Sequence, residues 1–154
     1  MMMVRVVMVL FGFLFAEADT KKLVIDLTTA NANTYKAKII NGIKMHKKYY
    51  KSIGEELKVA VVIHGSSYKF FFKEINKTQY QADLELQKVF ADLKEQTKEL
   101  SELYDVEFLM CGFGMKKHKI QKNQVVKYVK VVANATVGLI DKQNKGYAYL
   151  PVGD

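Results

Sequence analysis

Continuous apolar runs alternating with amphipathic stretches predict an α/β layered fold with a mostly parallel sheet of five strands. Three observations carry this. The runs Leu23–Leu27 and Leu57–Ile63 are unbroken rather than alternating, as strands covered on both faces are. Helical spacing of apolar residues separates them. The joints are short, which favours strands laid side by side through right-handed crossovers.

Taken in order, Leu23-Val24-Ile25-Asp26-Leu27 is the first strand, ending in Thr28-Thr29. Asn31, Asn33 and Thr34 are N-cap types, and Tyr35, Ile39, Ile43 and Tyr50 then recur at helical spacing up to the turn at Gly54. Leu57–Ile63 is the second strand, closed by His64-Gly65. Phe70-Phe71-Phe72 reads as a short helix packed on the sheet, with one ring pointing outward toward another subunit. Gln79–Tyr104 reads as a long amphipathic helix with Leu86, Val89, Phe90, Leu93, Leu100 and Leu103 on one stripe. Val106–Met110 is the third strand, running into Cys111-Gly112-Phe113-Gly114, and Tyr128–Val132 is the fourth. Ala135–Asn144 is a helix stopped by Gly146, and Tyr147–Leu150 is the last strand.

The chain has 154 residues, enough for one domain with a real core. Met1 to Arg5 forms a short positive start, Val6–Ala16 is an unbroken apolar run, and Ala16-Glu17-Ala18 offers a small-residue cleavage site. The expectation is a cleavable signal peptide over 1–18, a single domain over 19–154, and an exported, for example periplasmic, protein. The apolar run is short for a permanent span, so no stable membrane insertion is expected after processing.

The formal net charge is +8, and nearly all the positive charge is lysine because Arg5 is the one arginine. A domain without arginine lacks the fork that reads guanine edges and clamps phosphates, so nucleic acid is not an expected partner. Lys44, Lys47, Lys48 and Lys51 instead read as a solvated helix face. A single Cys excludes an internal disulfide, a four-Cys zinc site and a C-x-x-C redox pair. Neither phosphate-binding glycine motif is present after the first strand, which argues against nucleotide enzymes and leaves no cofactor expected.

In open α/β sheets, ligands bind beyond the carboxyl ends of the strands. Those ends carry Thr28-Thr29, His64-Gly65 and Cys111-Gly112, so the topology is expected to bring them to one edge. Cys111 lies where the chain leaves the core. Gly112 and Gly114 permit a tight turn and close approach of a substrate, and Met115-Lys116-Lys117-His118-Lys119 reads as a helical turn dense in positive charge. Helix-start N–H groups and nearby lysines favour thiolate over thiol. Cys111, His64, Met115 and His118 are also ligand types that soft metals prefer, although no tight pair stands at ligand spacing, so no metal site is assigned.

These same residues resemble the DsrE/DsrF-like family. The similarity is carried by the first strand with Thr28-Thr29, the second ending His64-Gly65, and the run Val106-Glu107-Phe108-Leu109-Met110-Cys111-Gly112. The stretch Met115–Ile120, Val137-Gly138-Leu139-Ile140 and Lys145-Gly146-Tyr147-Ala148-Tyr149 complete it. It spans Lys21 to Leu150.

The resemblance implies a flavodoxin-like three-layer fold and a homotrimer or homohexamer. It also implies a sulfur carrier or sulfurtransferase-like activity, with sulfane sulfur held as a persulfide on Cys111 and exchanged with donor and acceptor proteins or small sulfane compounds. His64, Gly112, Lys116 and Lys117 are the expected substrate-binding residues. The chain departs from the family where Phe113-Gly114 replaces a polar residue followed by Ser or Thr, and where Lys119 replaces a usual Gly. A non-catalytic oligomeric module for a soft metal or small anion is the alternative.

Overall fold

The computed structural model of the protein describes residues 20–154. The signal peptide expected over 1–18 lies outside the described residues. Five strands form the sheet: β1 (Thr20–Leu27), β2 (Glu56–Ile63), β3 (Val106–Cys111), β4 (Val129–Val132) and β5 (Ala148–Val152). Their order is β4-β3-β2-β1-β5, and every neighbouring pair is parallel. The sheet is thus wholly rather than mostly parallel, because each connection carries helical turns that return the chain to the same starting edge.

From β1 to β4 the strands advance in one direction, and β5 then returns to the far side of β1. A right-handed crossover places helices on one face while the order advances and on the other once it reverses. Accordingly α1 (Ala32–Thr34), a π-helical run Tyr35–Asn41, α2 (Gly42–Ser52) and α3 (Leu84–Glu102) cover one face. The single helix α5 (Ala135–Asn144) crosses the other. The short α4 (Gly112–Lys117) follows β3 directly. Among the described residues no helix is long and apolar enough to cross a membrane.

The first face holds the aromatic core. Asn31 caps the helical run by accepting from the Asn33 and Thr34 amides at 2.9 Å each. The wider π turns bring Ile40 inward beside the expected Tyr35, Ile39 and Ile43, and all are buried. Tyr35 stacks on Phe70 at 4.3 Å between centroids and meets Phe71 edge-on. Its hydroxyl donates to Thr97 Oγ1 at 2.8 Å, since Thr97 itself donates to the Leu93 carbonyl.

Two expectations need correction here. None of Phe70, Phe71 and Phe72 points outward, for all are 2% exposed or less. The reason is local geometry. A 3-10 turn over Ser67–Phe71 hands over to an extended Phe72, so successive rings aim at Tyr35, Phe108 and Tyr80 rather than around one helix. The long helix starts at Leu84, later than expected, because linked turns at Gln81 and Asp83 precede it and the Asp83 carboxylate caps it through the Leu86 amide at 3.0 Å. Leu103 then falls beyond the helix end and is exposed.

Candidate functional site at the carboxyl edge of the sheet

The expected gathering at one edge is observed. Leu27, Ile63 and Met110 are laterally paired, so Thr28, His64 and Cys111 stand one step further along adjacent strands. Cys111 still pairs with Val132, and the His64 amide still donates to Leu27 O at 3.1 Å, so both residues remain in register.

Cys111 is the last residue of β3 and the N-cap of α4. Its Sγ accepts from the Gly114 amide at 3.3 Å, the role an oxygen plays in an ordinary cap. Its carbonyl accepts from the Tyr68 hydroxyl at 3.0 Å. Burial pushes the Tyr68 phenol well above its ordinary value, so it remains a donor. Cys111 as a whole is 6% exposed, so it lies at the floor of the edge rather than on its surface.

The two glycines flanking Phe113 are there for their neighbours. A Cβ on Gly114 would lie 1.9 Å from the Tyr68 hydroxyl, and one on Gly112 would lie 2.8 Å from Val132 O. Neither has the positive φ that only glycine adopts easily; among the described residues near this edge, the left-handed positions are Gly65 in the turn after β2 and Lys119 after α4, at φ 54°. Lys119 therefore carries the backbone strain that glycine relieves at this position.

Lys116 and Lys117 occupy the last turn of α4 and are exposed. Lys116 borders an open hollow of 320 Å³ with Gly112, Phe113, Val131, Val132 and Ala133. Phe113, 68% exposed, is the largest apolar surface beside the cysteine. His118 is half-buried and packs against Tyr68, with ring centroids 5.5 Å apart, rather than standing free in solvent.

His64 is engaged more specifically than a turn-capping histidine. Its Nε2 lies 2.5 Å from Asp26 Oδ1, and the other carboxylate oxygen of Asp26 accepts from the Tyr149 hydroxyl at 2.7 Å. That hydrogen bond raises the Tyr149 phenol above its ordinary value. Neither Asp26 nor Tyr149 belongs to a motif that marks a site. The available signal was Asp26 itself, a lone carboxylate inside the apolar run LVIDL, where an ionisable side chain needs a partner. Ser67 Oγ contacts the carbonyls of Leu27 and His64 at 2.8 and 2.7 Å, holding the turn that presents the ring.

A larger cavity, of about 850 Å³, lies elsewhere. It is at the amino ends of the strands, lined by Lys44, Lys47, Lys48, Lys51, Leu57 and Leu103 among others. Its lysines are partly committed. Lys44 pairs with Glu99 at 2.6 Å, and Lys47 donates to Leu57 O at 2.7 Å. Burial pulls the Lys47 amine below its ordinary value against the opposing pull of Asp105 and Glu56. The carboxyl edge holds the one thiol and the organised imidazole, and is where parallel sheets place their ligands, so volume does not decide between the two. Among the described residues no three His, Cys, Asp or Glu side chains gather as a metal site.

The model of the DsrE/DsrF-like family matches residues 12–152. The chain belongs to the DsrE/DsrF-like family. This DsrE-like chain is 29% identical over 98 residues to an uncharacterized protein of Aquifex aeolicus (strain VF5), which is 64% of this chain and 41% of that protein. The match thus spans less than half the relative's length. The DsrE-like fold also resembles the solved structure of a protein of unknown function from Methanobacterium thermoautotrophicum. That match has a TM-score of 0.58 and 14% identity, over 85% of this chain and 98% of that one. At that identity the likeness speaks for the three-layer, flavodoxin-like α/β architecture.

Proposed function

We propose that the protein carries sulfane sulfur as a persulfide on Cys111, acting as a sulfur carrier or sulfurtransferase-like protein. The observation behind this reading is the placement of the single thiol: it ends β3 at the carboxyl edge, fixed by the Gly114 amide, in a chain of the DsrE/DsrF-like family. The Cys111 thiolate attacks the outer sulfur of a donor R–S–SH. The Sγ–S bond forms as the donor S–S bond breaks, giving Cys111–S–SH and RS⁻. The sulfane sulfur moves without net redox change, and a second cysteine is not required. Lys116 and Lys117 draw anionic donors toward the edge, Gly112 lets the chain leaving β3 lie close against β4 beside the hollow that would admit the donor, and His64 supplies a hydrogen bond or proton beside the sulfur.

The shallow exposure of Cys111 favours one second reading, an oligomeric module that binds a small anion or soft metal without using the thiol. Intact mass of the full chain after incubation with polysulfide separates the two. Reductant-reversible addition of sulfur to wild type, absent in Cys111→Ala, is the expected result. No addition, with Cys111 resistant to alkylation in the folded state, overturns the carrier reading and leaves the binding module.

Two accompanying proposals follow. A homotrimer or homohexamer would cover Val131, Val137, Ile140 and Leu150, which are exposed near the edges and over the α5 face; light scattering showing a monomer defeats it. Export with cleavage after Ala18 is checked by the N-terminal residue of the mature protein, expected to be Asp19.

A further inference from the structure

One line of side chains crosses adjacent strands on the α5 face. Tyr149 on β5 donates to Asp26 on β1, and Asp26 holds His64 at the end of β2. Cys111 follows on β3. Its face is set by the pairing of Val62 with Leu109, two residues before His64 and Cys111 respectively, and by the packing of Val62 against Gly138 of α5. Neighbouring strands lie about 4.8 Å apart, so His64 and Cys111 are lateral neighbours on that face. The order β3-β2-β1-β5 of the sheet is the order Cys111, His64, Asp26, Tyr149 of the line.

We propose that Asp26 and Tyr149 are positioning residues that fix His64 in one tautomer, making it the proton carrier of Cys111. This deepens the carrier reading and rests on it. A carboxylate accepts, so the His64 nitrogen facing Asp26 must carry a proton. Nε2–H is thereby assigned, and the neutral ring is left with its lone pair on Nδ1. The side chain of Asp26 is 16% exposed and that of His64 29%, so the carboxylate is sheltered while the ring reaches solvent. The Tyr149 hydroxyl occupies the second carboxylate oxygen and stops Asp26 from rotating away.

The ring then carries the proton across the one strand spacing between it and Cys111. Nδ1 takes it from the Cys111 thiol, leaving the thiolate that attacks R–S–SH. Nδ1–H returns it to the departing RS⁻, so that Cys111–SH and R–S–SH become Cys111–S–SH and R–SH. Atoms, charge and electrons balance without an oxidant or reductant. In the reverse direction the same ring protonates Cys111 as the outer sulfur leaves. Tyr149 stands on an edge strand added last to the sheet, so the fold completes this line only when β5 docks beside β1.

The test uses the full chain with ¹⁵N-labelled histidine and a sulfane donor of the R–S–SH class. Ring ¹⁵N shifts of His64 should report Nε2–H in wild type and in Cys111→Ala, and a mixture of tautomers in Asp26→Asn and Tyr149→Phe. Sulfur uptake by Cys111 should fall about 10²-fold in His64→Ala, the scale of a lost general base, and about tenfold in Asp26→Asn. Free imidazole should restore part of the His64→Ala rate, which a purely structural role for the ring would not allow. His64→Gln, which still donates to Asp26, should keep the fold but remain slow. A wild-type rate in Asp26→Asn or His64→Gln overturns the proposal while the carrier reading stands. Absence of uptake in wild type fails both, and the tautomer shifts then still say whether Asp26 orients the ring.

Discussion

The face of the sheet under α2 and α3 and the face under α5 handle polarity in opposite ways. Under α2 and α3, Tyr35, Phe70, Phe71 and Phe108 close the core, and the hydroxyl of Tyr35 is satisfied internally by Thr97. Under α5 a single helix contributes Ala135 and Gly138 as its buried residues, and Gly138 sits against Val62 and Val132. Around that narrow contact the strands present Lys22, Asp26, Lys58, Glu107 and Lys130. These are paired where they can be: Glu107 with Lys130 and Lys142, Asp26 with His64 and Tyr149. Cover therefore decides where chemistry can live in a small parallel sheet. A face sealed by aromatic rings has no room for an ionisable group without a large desolvation cost. A face covered by one helix leaves margins in which polar groups remain partly hydrated and can be organised into a line.

Removing mass from the sealed face should have the largest effect. Phe108→Ala is expected to destabilise by about 3–5 kcal/mol, because Phe71 and Tyr128 pack on that ring and cannot both collapse into the gap. Urea denaturation measures it, and a loss under about 1 kcal/mol would erase the contrast between the faces.

Next comes the junction holding the cysteine. Gly114→Ala drives a methyl into the Tyr68 hydroxyl and should cost about 1–3 kcal/mol. The double variant with Tyr68→Phe should recover part of that loss, since the offending atom is gone. Strict additivity in the double-mutant cycle would mean the backbone shifts instead. A smaller loss of about 1 kcal/mol is expected for Tyr35→Phe, which removes one buried hydrogen bond while Thr97 keeps its own to Leu93.

The smallest effect belongs to the open face and depends on pH. Burial raises the Glu107 carboxyl, but the hydrogen bonds and charges of Lys142 and Lys130 outweigh it and hold the group below its ordinary value. A carboxylate depressed on folding stabilises above its unfolded value and loses that contribution as pH falls through the folded one. Wild type should therefore lose stability on acidification through that range more steeply than Glu107→Gln. Parallel slopes in thermal melts across that range would show the pairs to be ornamental.

Much of this architecture is legible in local pattern. The unbroken runs at Leu23–Leu27 and Leu57–Ile63 are central strands because such runs are stable only when covered on both sides. Asn31 reads as a cap and serves as one; Asp83 and Asn134 cap α3 and α5 in the structure. Thr20, Lys21 and Lys22 were harder, since they join β1 by pairing with Glu56, Leu57 and Lys58 and not by any apolar signal of their own. The Phe70–Phe72 run misled because its burial depends on a 3-10 turn into an extended residue, which three adjacent rings do not announce.

The layered α/β class, the succession of strands along the chain and the placement of Cys111 where β3 ends are all written in the order of the residues. These follow from periodicity, capping and the alternation of elements, all of which act over a few residues. Folding in three dimensions is what makes every strand parallel, docks β5 beside β1, and brings Asp26 to His64 and Tyr149 across separations of 38 and 123 residues. Contacts of that span are set by lateral register and by which face each strand turns to its neighbour. Both are properties of the assembled sheet, and no local run of residues encodes them.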